Sequence, residues 1–403
     1  MPLKKPVKAK LSIPGSKSVI NRAFICAALA EGESKIENLN LCEDVLVIIE
    51  SLQRLGLDVQ VKSRAAHIVG GLNKLKAAKL DFKNAGTAAR FSTALTCLIP
   101  GKSVLDGNKR MRERPIEDLL KALESLGAEL KSESGYFPVS VRGGNLLARQ
   151  NVILDSRVSS QYLSALLMIA PYLEGGLQIL LQGELPSKPY VDMTLEVMSC
   201  FGVQIEKIVE GFSVPAAKYR ARKFEAESDA SSATYFHALN FLTNSKVKVT
   251  NLNKNSVHPD SKFPTLLKKL SKAKEKISFD LNGMPDAVPS LAVVAATLPI
   301  ETRIENVANL RVKECDRLHA LRVELGKLGA EVIETEDSLV IKGASLYGAE
   351  IETYDDHRIA MSFAILGTKV PGIKIKGPDC VKKSYPGFWE DLRKIGVEAI
   401  GHK

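Results

Sequence analysis

A short motif that recurs five times along the chain limits most strongly how the chain can fold. In each copy, the end of an amphipathic helix precedes a glycine suited to the left-handed position after a helix, and a short β run follows. A sixth, degenerate copy at residues 266–280 has Ser271 in place of the glycine, and the copies lie roughly 60–75 residues apart. The five clear copies are LQRLGLDVQV (52–61), LESLGAELK (123–131), MSCFGVQIE (198–206), LGKLGAEVIE (325–334) and LRKIGVEAI (392–400).

Six predicted helices with polar first residues and almost wholly apolar bodies alternate with these copies. A helix that is apolar all round is buried, and a polar cap satisfies the amide groups at its buried end. The N-terminus of a helix carries the positive end of its dipole, so such ends favour anion sites. The six segments are residues 16–30, 87–99, 159–170, 229–242, 286–298 and 355–367.

The two series together divide the chain into six units, each with strands, one buried helix and one amphipathic helix. Three units in each half predict an α/β protein of two similar domains with a cleft between them. The alternative is an ordinary α/β protein whose segments resemble one another by chance.

The amino-acid composition limits the kinds of molecule that the protein is expected to bind and the compartment in which it is expected to work. Of the 403 residues, 45% are hydrophobic and 25% are charged, which is enough for a sizeable core. The net charge of +10 favours an anionic partner, such as a phosphate metabolite, a nucleic acid or an acidic surface. The six cysteines form no CxxC pair, so we expect reduced thiols in a cytoplasmic protein. We expect no targeting leader and no membrane span, because the sequence contains neither pattern.

The segment IPGSKSVINRA (13–23) looks like a phosphate loop at the start of the first buried helix. A Walker A loop needs a further glycine at position 11, which is absent. Lys17, Ser18 and Arg22 lie on the first turns of the predicted helix, and Ser18 and Arg22 share a face. A surface cap and an anion site both remain open for this segment.

Polar residues stand at other predicted boundaries, where capping or a salt bridge explains each one equally well. Gly86 forms a small-residue turn before a helix for which Thr87 is the predicted cap, and the backbone amides there can approach an anion. Arg114, followed by Pro115 at a predicted helix start, offers a planar fork to a carboxylate or phosphate. A polyhydroxyl or phosphate ligand would suit the side chains of Ser159, Ser160, Gln161, Ser187 and Tyr190.

The C-terminal half adds charged residues. Asp286, predicted at the start of an apolar helix, and Glu314 are a plausible acid–base pair. Cations at element boundaries in both halves fit a cleft that closes on a doubly anionic small molecule. These cations are Lys17, Arg114, Arg317, Arg358 and Lys383.

Nine motifs, in their order and spacing, resemble those of the 5-enolpyruvylshikimate-3-phosphate (EPSP) synthase family. The resemblance runs from residue 11 to about residue 390, and it is specific because all nine motifs are in register. The motifs are IPGSKSVINRA, NAGTAAR, RMRERPI, SSQYLSALL, SKPYVDMT, MPDA, RVKECDRL, DDHRIAM and CVKKSYPGFW.

The resemblance implies the enolpyruvyl transferase fold, an inside-out α/β barrel with three βαβαββ units around buried helices in each of two domains. In this family the first β segment belongs with the C-terminal half. One domain is therefore expected to be discontinuous, with residues 1–14 and 228–403, and the other to contain residues 15–227. The active site is expected in the cleft between the domains, which we expect to close on the substrates.

The resemblance also implies a reaction. The 5-hydroxyl of shikimate 3-phosphate attacks C2 of phosphoenolpyruvate while C3 gains a proton, and the tetrahedral intermediate then expels phosphate. The family needs no metal and no other cofactor, so we expect neither, and no nucleic-acid or membrane partner.

Site residues follow from the resemblance position by position. Those assigned to shikimate 3-phosphate are Lys17, Ser18, Arg22, Ser159, Ser160, Gln161, Ser187, Tyr190, Asp286, Asn309 and Lys313. Those assigned to phosphoenolpyruvate are Lys17, Asn84, Gly86, Arg114, Gln161, Arg317, Arg358 and Lys383. Asp286 matches the family's proton acceptor, Glu314 matches its proton donor, and Lys17 is the third residue assigned to catalysis. Which group moves each proton stays open.

The sequence departs from the family pattern beside NAGTAAR. Lys83 stands where the family usually has glycine, and Phe91 where many members have proline. We expect neither to touch a residue assigned to a substrate, although both are able to tilt the helix at 84–90. Gly86, rather than alanine, leaves room beside phosphoenolpyruvate, so we expect inhibition by glyphosate, a mimic of that substrate in this family.

Two other functions are weighed against this one. UDP-N-acetylglucosamine enolpyruvyl transferases share the fold and the donor, but they usually carry a cysteine in the loop before Arg114, here DGNKRMRERP. A basic nucleic-acid-binding protein would have clustered cations and exposed aromatic residues, whereas aromatics are only 6% here. We expect a monomer, because the repeats complete two closed domains and leave no obvious apolar face.

Overall fold

The computed structural model describes residues 2–147 and 151–398. By its internal contacts the chain divides into two compact units. Residues 15–227 form the first, which we call the continuous unit, and residues 1–14 with 228–403 form the second, the discontinuous unit.

The helices of the described residues are divided equally between the two units. Those of the continuous unit are α1 (Lys17–Leu29), α2 (Glu43–Arg54), α3 (Gly86–Cys97), α4 (Glu117–Ser125), α5 (Ser160–Ile169) and α6 (Lys188–Cys200). Those of the discontinuous unit are α7 (Ala230–Thr243), α8 (Phe263–Leu270), α9 (Val288–Ala295), α10 (Arg317–Lys327), α11 (His357–Leu366) and α12 (Phe388–Lys394).

The strands are short. Those of the continuous unit are β2 (Gly32–Glu37), β3 (Asp58–Lys62), β4 (Ala65–Gly70), β5 (Lys79–Asp81), β6 (Gly101–Asp106), β7 (Glu129–Glu133), β8 (Tyr136–Gly143), β9 (Asn151–Asp155), β10 (Leu177–Gln182), β11 (Glu206–Ile208), β12 (Gly211–Val214) and β13 (Lys223–Glu225). Those of the discontinuous unit are β1 (Lys8–Leu11), β14 (Lys246–Val249), β15 (Lys276–Asp280), β16 (Glu301–Glu305), β17 (Glu331–Glu334), β18 (Leu339–Lys342), β19 (Glu350–Ile351) and β20 (Lys374–Ile375).

In its described residues, 15–147 and 151–227, the continuous unit has three open four-stranded sheets with one common pattern. Their orders are β13-β2-β4-β3, β5-β6-β8-β7 and β9-β10-β12-β11, each with one parallel pair and two antiparallel pairs. The parallel pairs β5–β6 and β9–β10 are each joined by a buried helix, as a parallel connection requires. In the remaining sheet β13 supplies the parallel partner of β2, because β1 pairs with β14 in the discontinuous unit.

The discontinuous unit repeats this pattern once in full. Its four-stranded sheet has the order β15-β16-β18-β17, whereas β1–β14 and β19–β20 are two-stranded parallel pairs. Two of its three repeats therefore have reduced sheets within residues 2–147 and 151–398. The β run predicted after Gly396 extends to residues 399–400, which lie outside the described residues.

Five amphipathic helices end as the repeated motif predicts. The glycine after each helix has a positive φ, between 88° and 97°, which favours glycine because it lacks a Cβ. These residues are Gly56, Gly127, Gly202, Gly329 and Gly396. At the degenerate copy, Ser271 follows α8 with an ordinary right-handed φ of −65°. The local part of the sequence prediction is confirmed.

The apolar helices α1, α3, α5, α7, α9 and α11 are buried, as predicted. The side chains of Ser16, Ser159, Asp229 and Asp356 each accept a hydrogen bond from a backbone amide in the first turn of their helix. These four polar caps satisfy amide groups that would otherwise be buried without acceptors.

The predicted starts of α3 and α9 are wrong in detail. Thr87 is not the cap of α3: the cap position is Ala85, two residues earlier, and its carbonyl accepts from the amide of Ala89. Asp286 does not begin α9 but lies in a 3₁₀ turn, Pro285–Ala287, that precedes it. Both starts therefore lack a side-chain cap, and the Asp286 carboxylate is directed elsewhere.

Each unit has its own hydrophobic core. The buried apolar side chains form one cluster in the continuous unit, from Val19 to Ala226, and a separate cluster in the discontinuous unit. Among the described residues, no helix combines the length and apolar character that a membrane crossing requires.

Candidate functional site

The start of α1 places Lys17 and Ser18 at the surface of the continuous unit's core. Gly15 precedes them, and a Cβ at this position would collide with the carbonyl oxygen of Asn38, so only glycine permits this approach. Lys17 Nζ lies 2.7 Å from Oδ2 of Asp44, a buried carboxylate in the first turn of α2. Asp44 is a residue that the sequence reasoning missed, because nothing near it in sequence points to Lys17.

Arg22 lies one turn further along α1 and is almost completely buried. Its Nη1 donates to the carbonyl of Ser18 at 2.8 Å, and its Nη2 donates to the carbonyl of Tyr190 at 3.0 Å. Three residues that the resemblance assigns to shikimate 3-phosphate are therefore joined directly. Burial lowers the pKa of Arg22 to about 10, so the guanidinium stays charged at neutral pH.

A second group surrounds the start of α3. Arg114 is buried, and its Nη1 donates to both the carbonyl and Oδ1 of Asn84, each at 3.1 Å. A Cβ at Gly86 would stand 2.6 Å from Nη2 of Arg114. Three residues assigned to phosphoenolpyruvate therefore meet at an uncapped helix N-terminus, where amide groups and a guanidinium favour an anion.

Arg90 joins this second group to α5. Its Nη1 donates to the carbonyl of Gly86 and to Oε1 of Gln161, both at 3.2 Å, and its Nη2 donates to the carbonyl of Pro115 at 2.7 Å. The guanidinium also lies over the ring of Tyr162, 5.6 Å from its centre. Arg90 is the last residue of the motif NAGTAAR, but the sequence reasoning did not place it in the site, although it links three of the site's segments.

The remaining predicted residues of this unit lie at the starts of α5 and α6. Ser159 caps α5 by accepting from the amide of Gln161, and the buried Ser160 follows. Ser187 directly precedes α6 in a left-handed conformation with φ 55°, which is uncommon for a residue with a side chain. Tyr190 is buried in the first turn of α6, where its carbonyl meets Arg22.

In the discontinuous unit, one carboxylate receives two guanidinium groups. Asp286 Oδ1 lies 3.0 Å from Nη1 of Arg317, and its Oδ2 lies 2.7 Å from Nη2 of Arg358. Both arginines are buried, whereas the Asp286 side chain keeps 17% of its exposure. Tyr235, which the sequence reasoning missed, contacts the guanidinium of Arg358: Nη1 of this arginine lies 3.4 Å from the tyrosine hydroxyl.

Arg317 also binds Glu314 and a further acid. Its Nη2 donates to Oε2 of Glu314 at 2.8 Å, and its Nε donates to Oδ2 of the fully buried Asp356 at 2.8 Å. Burial alone would lower the pKa of Arg317, but the carboxylates of Asp356, Glu314 and Asp286 outweigh it and raise that pKa above its ordinary value. Lys383 lies at the edge of this group, with Nζ 4.0 Å from Oε1 of Glu314.

Asp356 has a double role that the sequence reasoning missed. Its Oδ1 accepts from the amide of Arg358 at 2.8 Å as the cap of α11, while its Oδ2 binds Arg317. One buried carboxylate thus orients the element that carries Arg358 and the side chain of Arg317. The motif DDHR contains this signal, because an aspartate before a buried helix is a good cap.

The structure brings most predicted residues together within each unit. Asn309 lies in the 3₁₀ turn Ala308–Val312. Lys313 is the first residue after this turn and precedes Glu314 in the sequence. Among residues 2–147 and 151–398, no group of three or more histidine, cysteine, aspartate or glutamate side chains is placed to hold a metal ion. The site is therefore suited to bind anions through its buried cations. Two carboxylates, those of Asp286 and Glu314, lie next to the arginines.

One expectation about the departures is wrong. The ring of Phe91 does touch a residue assigned to a substrate, because the guanidinium carbon of Arg22 lies 5.2 Å from its centre. The contact arises because α3 packs against α1, which sequence spacing cannot reveal. Lys83 adopts a left-handed conformation with φ 49°, and its Nζ lies 3.2 Å from Oε1 of Glu43.

Comparison with known proteins adds an independent line of evidence. The family model for EPSP synthase (3-phosphoshikimate 1-carboxyvinyltransferase) matches residues 3–392. A 3-phosphoshikimate 1-carboxyvinyltransferase from Pseudomonas savastanoi is 39% identical over 98% of this chain and 97% of its own length. Another from Rhizobium etli is 38% identical over 98% of this chain and 96% of its own length.

Solved structures agree with the sequence comparisons. A 2.37 Å structure of EPSP synthase from Acinetobacter baumannii has a TM-score of 0.82 to this chain, with 26% sequence identity. The match covers 98% of this chain and 97% of that one. The predicted fold class, α/β with repeated units around buried helices, is confirmed.

Proposed function

The chain belongs to the EPSP synthase family, and on this premise we propose which of its residues carry out each part of the reaction. The enzyme transfers the enolpyruvyl group of phosphoenolpyruvate to the 5-hydroxyl of shikimate 3-phosphate and releases phosphate. This step belongs to the shikimate pathway, which leads to chorismate and the aromatic amino acids.

Two sets of side chains bind the substrates in this proposal. Shikimate 3-phosphate is bound by Lys17, Ser18, Arg22, Ser159, Ser160, Gln161, Ser187, Tyr190, Asp286, Asn309 and Lys313. Phosphoenolpyruvate is bound by Lys17, Asn84, Gly86, Arg114, Gln161, Arg317, Arg358 and Lys383. The hydrogen bonds of Arg22 and Arg114 to other members of these sets support the grouping.

The chemistry is addition followed by elimination. Asp286 accepts the proton of the 5-hydroxyl as it attacks C2, and Glu314 donates a proton to C3. In the elimination, C3 loses a proton as the bond from C2 to the phosphate oxygen breaks, which restores the double bond. Lys17 and the arginines stabilise the negative charge of the substrates and of the departing phosphate. Holding both substrates in one orientation supplies a further part of the rate acceleration.

The observation that carries this proposal is the ion network around Arg317. Asp286 and Glu314, the two proton carriers, are both bound to this buried guanidinium. Phosphoenolpyruvate is a multiply charged anion, so its binding to Arg317 and Arg358 competes with the Asp286 carboxylate. We infer that this exchange frees Asp286 for the 5-hydroxyl when both substrates are bound.

The test is an assay of phosphate release that requires both shikimate 3-phosphate and phosphoenolpyruvate. Lys17→Met and Glu314→Ala are expected to lower turnover by at least about 100-fold, the usual effect of removing a proton-transfer or charge-stabilising group. The controls are Lys102→Met and Glu301→Ala, which change exposed side chains outside the proposed site.

Three outcomes would contradict the proposal. Phosphate release that needs only one of the two compounds would refute the reaction. Retained turnover in both site variants would refute the roles of Lys17 and Glu314. Equal losses in the control variants would show that the loss reports damage to the fold rather than to the site.

We also propose that glyphosate inhibits the enzyme in competition with phosphoenolpyruvate. The support is Gly86, where a Cβ would stand 2.6 Å from Nη2 of Arg114 and 2.7 Å from Nη1 of Arg90, so a larger residue would displace guanidinium groups at the proposed donor site. Unchanged turnover at millimolar glyphosate and low phosphoenolpyruvate would refute this.

A cytoplasmic location and a monomeric state complete the proposal. Both rest on the sequence patterns described above. Cell fractionation tests the first, and light scattering after size-exclusion chromatography tests the second, where a dimer mass would contradict it.

A further inference from the structure

Arg22 is held by neutral oxygen atoms rather than by an acid. Its Nε donates to Oγ1 of Thr194 at 2.7 Å, and its Nη2 donates to Oγ of Ser164 at 3.4 Å, in addition to its bonds with two carbonyls. A guanidinium has five N–H groups, so one N–H of Nη1 remains for a ligand. None of the ion pairs of the described residues includes Arg22, although only 2% of its surface is exposed.

A buried cation without a carboxylate is costly, and neutral acceptors compensate for it only in part. The ring of Phe91, 5.2 Å from the guanidinium carbon, adds the electron-rich face of an aromatic side chain. A structural arginine would be expected to pair with an acid. This arrangement instead keeps the positive charge of Arg22 available to an anionic ligand, and it fixes the orientation of the guanidinium group.

Thr194 occupies the centre of this arrangement. Its hydroxyl accepts from Arg22 Nε and lies 2.8 Å from Oγ of Ser164 and 3.0 Å from the carbonyl of Tyr190. Arg22, Ser164 and Thr194 are all fully or almost fully buried, on α1, α5 and α6. The threonine therefore joins three helices at a guanidinium that is proposed to bind the substrate.

We propose that Thr194 is a positioning residue for shikimate 3-phosphate, which holds the guanidinium of Arg22 in the orientation that binds the substrate's negative charge. This inference rests on the proposed function, since it concerns the same substrate. Ser164 supports the same guanidinium, and Phe91 covers its face.

The experiment compares steady-state kinetics of Thr194→Val and Thr194→Ser with the unmodified enzyme. Valine keeps the shape but leaves Nε without an acceptor, so KM for shikimate 3-phosphate is expected to rise about 10-fold. KM for phosphoenolpyruvate and kcat are expected to change less than about two-fold, because Arg22 does not act on the donor in this proposal. Serine restores the acceptor and is expected to restore KM.

A matched control separates positioning from stability. Thr96 is also a buried threonine of the continuous unit, but its hydroxyl donates only to the carbonyl of Thr93 within α3. Thr96→Val is expected to lower the melting temperature without changing KM for shikimate 3-phosphate. An equal rise in KM in both valine variants would overturn the inference.

A second variant keeps the inference testable if Thr194→Val does not fold. Ser164→Ala removes one acceptor of Arg22 and the hydroxyl nearest Thr194, and it is expected to raise the same KM about three-fold. Unchanged KM in Ser164→Ala, and in Thr194→Val where that variant folds, beside an active unmodified enzyme, would overturn the inference alone. An unmodified enzyme that neither turns over nor binds shikimate 3-phosphate by calorimetry would refute the proposed function as well.

Discussion

The turn before α3 shows how single residues decide the geometry of an anion site. Lys83 takes up a left-handed conformation that usually favours glycine, and its amide donates to Oδ1 of Asp81 at 2.9 Å. Asn84 and Gly86 follow directly, so the strain at Lys83 lies beside the residues proposed to bind phosphoenolpyruvate. The side chain of Lys83 extends to the surface, where Nζ lies 3.2 Å from Oε1 of Glu43.

Replacement of Gly86 by alanine should damage donor binding selectively. The new Cβ would stand 2.6 Å from Nη2 of Arg114 and 2.7 Å from Nη1 of Arg90, so both buried guanidinium groups must shift. Overpacking of this kind costs about 1–3 kcal/mol, so we expect KM for phosphoenolpyruvate to rise about 10-fold or more. KM for shikimate 3-phosphate should stay within about two-fold, as steady-state kinetics with each substrate varied would show.

Gly326 provides the control for this substitution. It lies in α10, and a Cβ there meets nothing within 4 Å, so Gly326→Ala should leave both KM values unchanged. If Gly86→Ala binds phosphoenolpyruvate as tightly as Gly326→Ala does, the placement of the donor beside Gly86 is wrong.

Asp44 should affect turnover indirectly, by orienting the side chain of Lys17. Asp44→Asn keeps the shape but removes the charge that pairs with Nζ at 2.7 Å in a largely buried position. We expect kcat to fall about 10-fold, since charge-assisted hydrogen bonds both hold and orient a lysine. Asp44→Glu should recover part of this loss.

The control is Asp58→Asn, which changes an exposed aspartate of β3 in the same unit. Phosphate-release rates at saturating substrates provide the measurement. A kcat for Asp44→Asn equal to that of Asp58→Asn would show that Lys17 needs no orientation from this carboxylate.

At the scale of elements, α7 carries a group that should make stability depend on pH. Burial lowers the pKa of His237 below its ordinary value of 6.5. The neutral imidazole is therefore favoured by folding. Its contribution to stability is complete above about pH 6.5 and is lost as the pH falls, because the unfolded chain takes up the proton first.

His237→Gln should flatten this acid-side loss. The free energy of unfolding, measured in urea at pH 7.5 and at pH 5.5, should fall less for His237→Gln than for the unmodified protein. His319→Gln is the control, because it removes a half-exposed histidine of α10 and leaves His237 in place. Identical pH dependence in all three proteins would show that His237 is not the group responsible.

At the scale of the whole molecule, each unit has its own core, and the two units differ in the parts of the chain that they need in order to fold. The continuous unit is a single stretch of chain, and its described part has three four-stranded sheets and its own apolar cluster. The discontinuous unit needs β1, from the other end of the sequence, to pair with β14. Chain connectivity therefore favours independent folding of the continuous unit.

A fragment of residues 15–227 should accordingly fold by itself. We expect a cooperative unfolding transition by circular dichroism and dispersed amide signals by NMR, because its buried apolar area is self-contained. A fragment of residues 228–403, which lacks β1, is the comparison and should be less stable. A non-cooperative transition for residues 15–227 would contradict this prediction.

Much of the fold could be predicted because its signals are local. The glycines after the amphipathic helices, such as Gly56 and Gly329, follow from the left-handed turn that ends a helix. The burial of α5 follows from an apolar sequence on every face. The site residues Asp286 and Arg317 were found through motifs whose order and spacing resemble a family, and the structure brings them within 3.0 Å of each other.

What the sequence could not determine depends on contacts between residues far apart in the chain. Arg22 meets Thr194 across 172 positions, Lys17 meets Asp44 across 27, and Phe91 reaches Arg22 only because α3 packs beside α1. No local pattern specifies such pairs, since each side chain alone suits many surroundings. The sequence by itself thus determined the repeats, the buried helices and the anion-binding residues. Only the tertiary structure decided which neutral and acidic partners hold those residues in place, because packing between helices selects one partner among many.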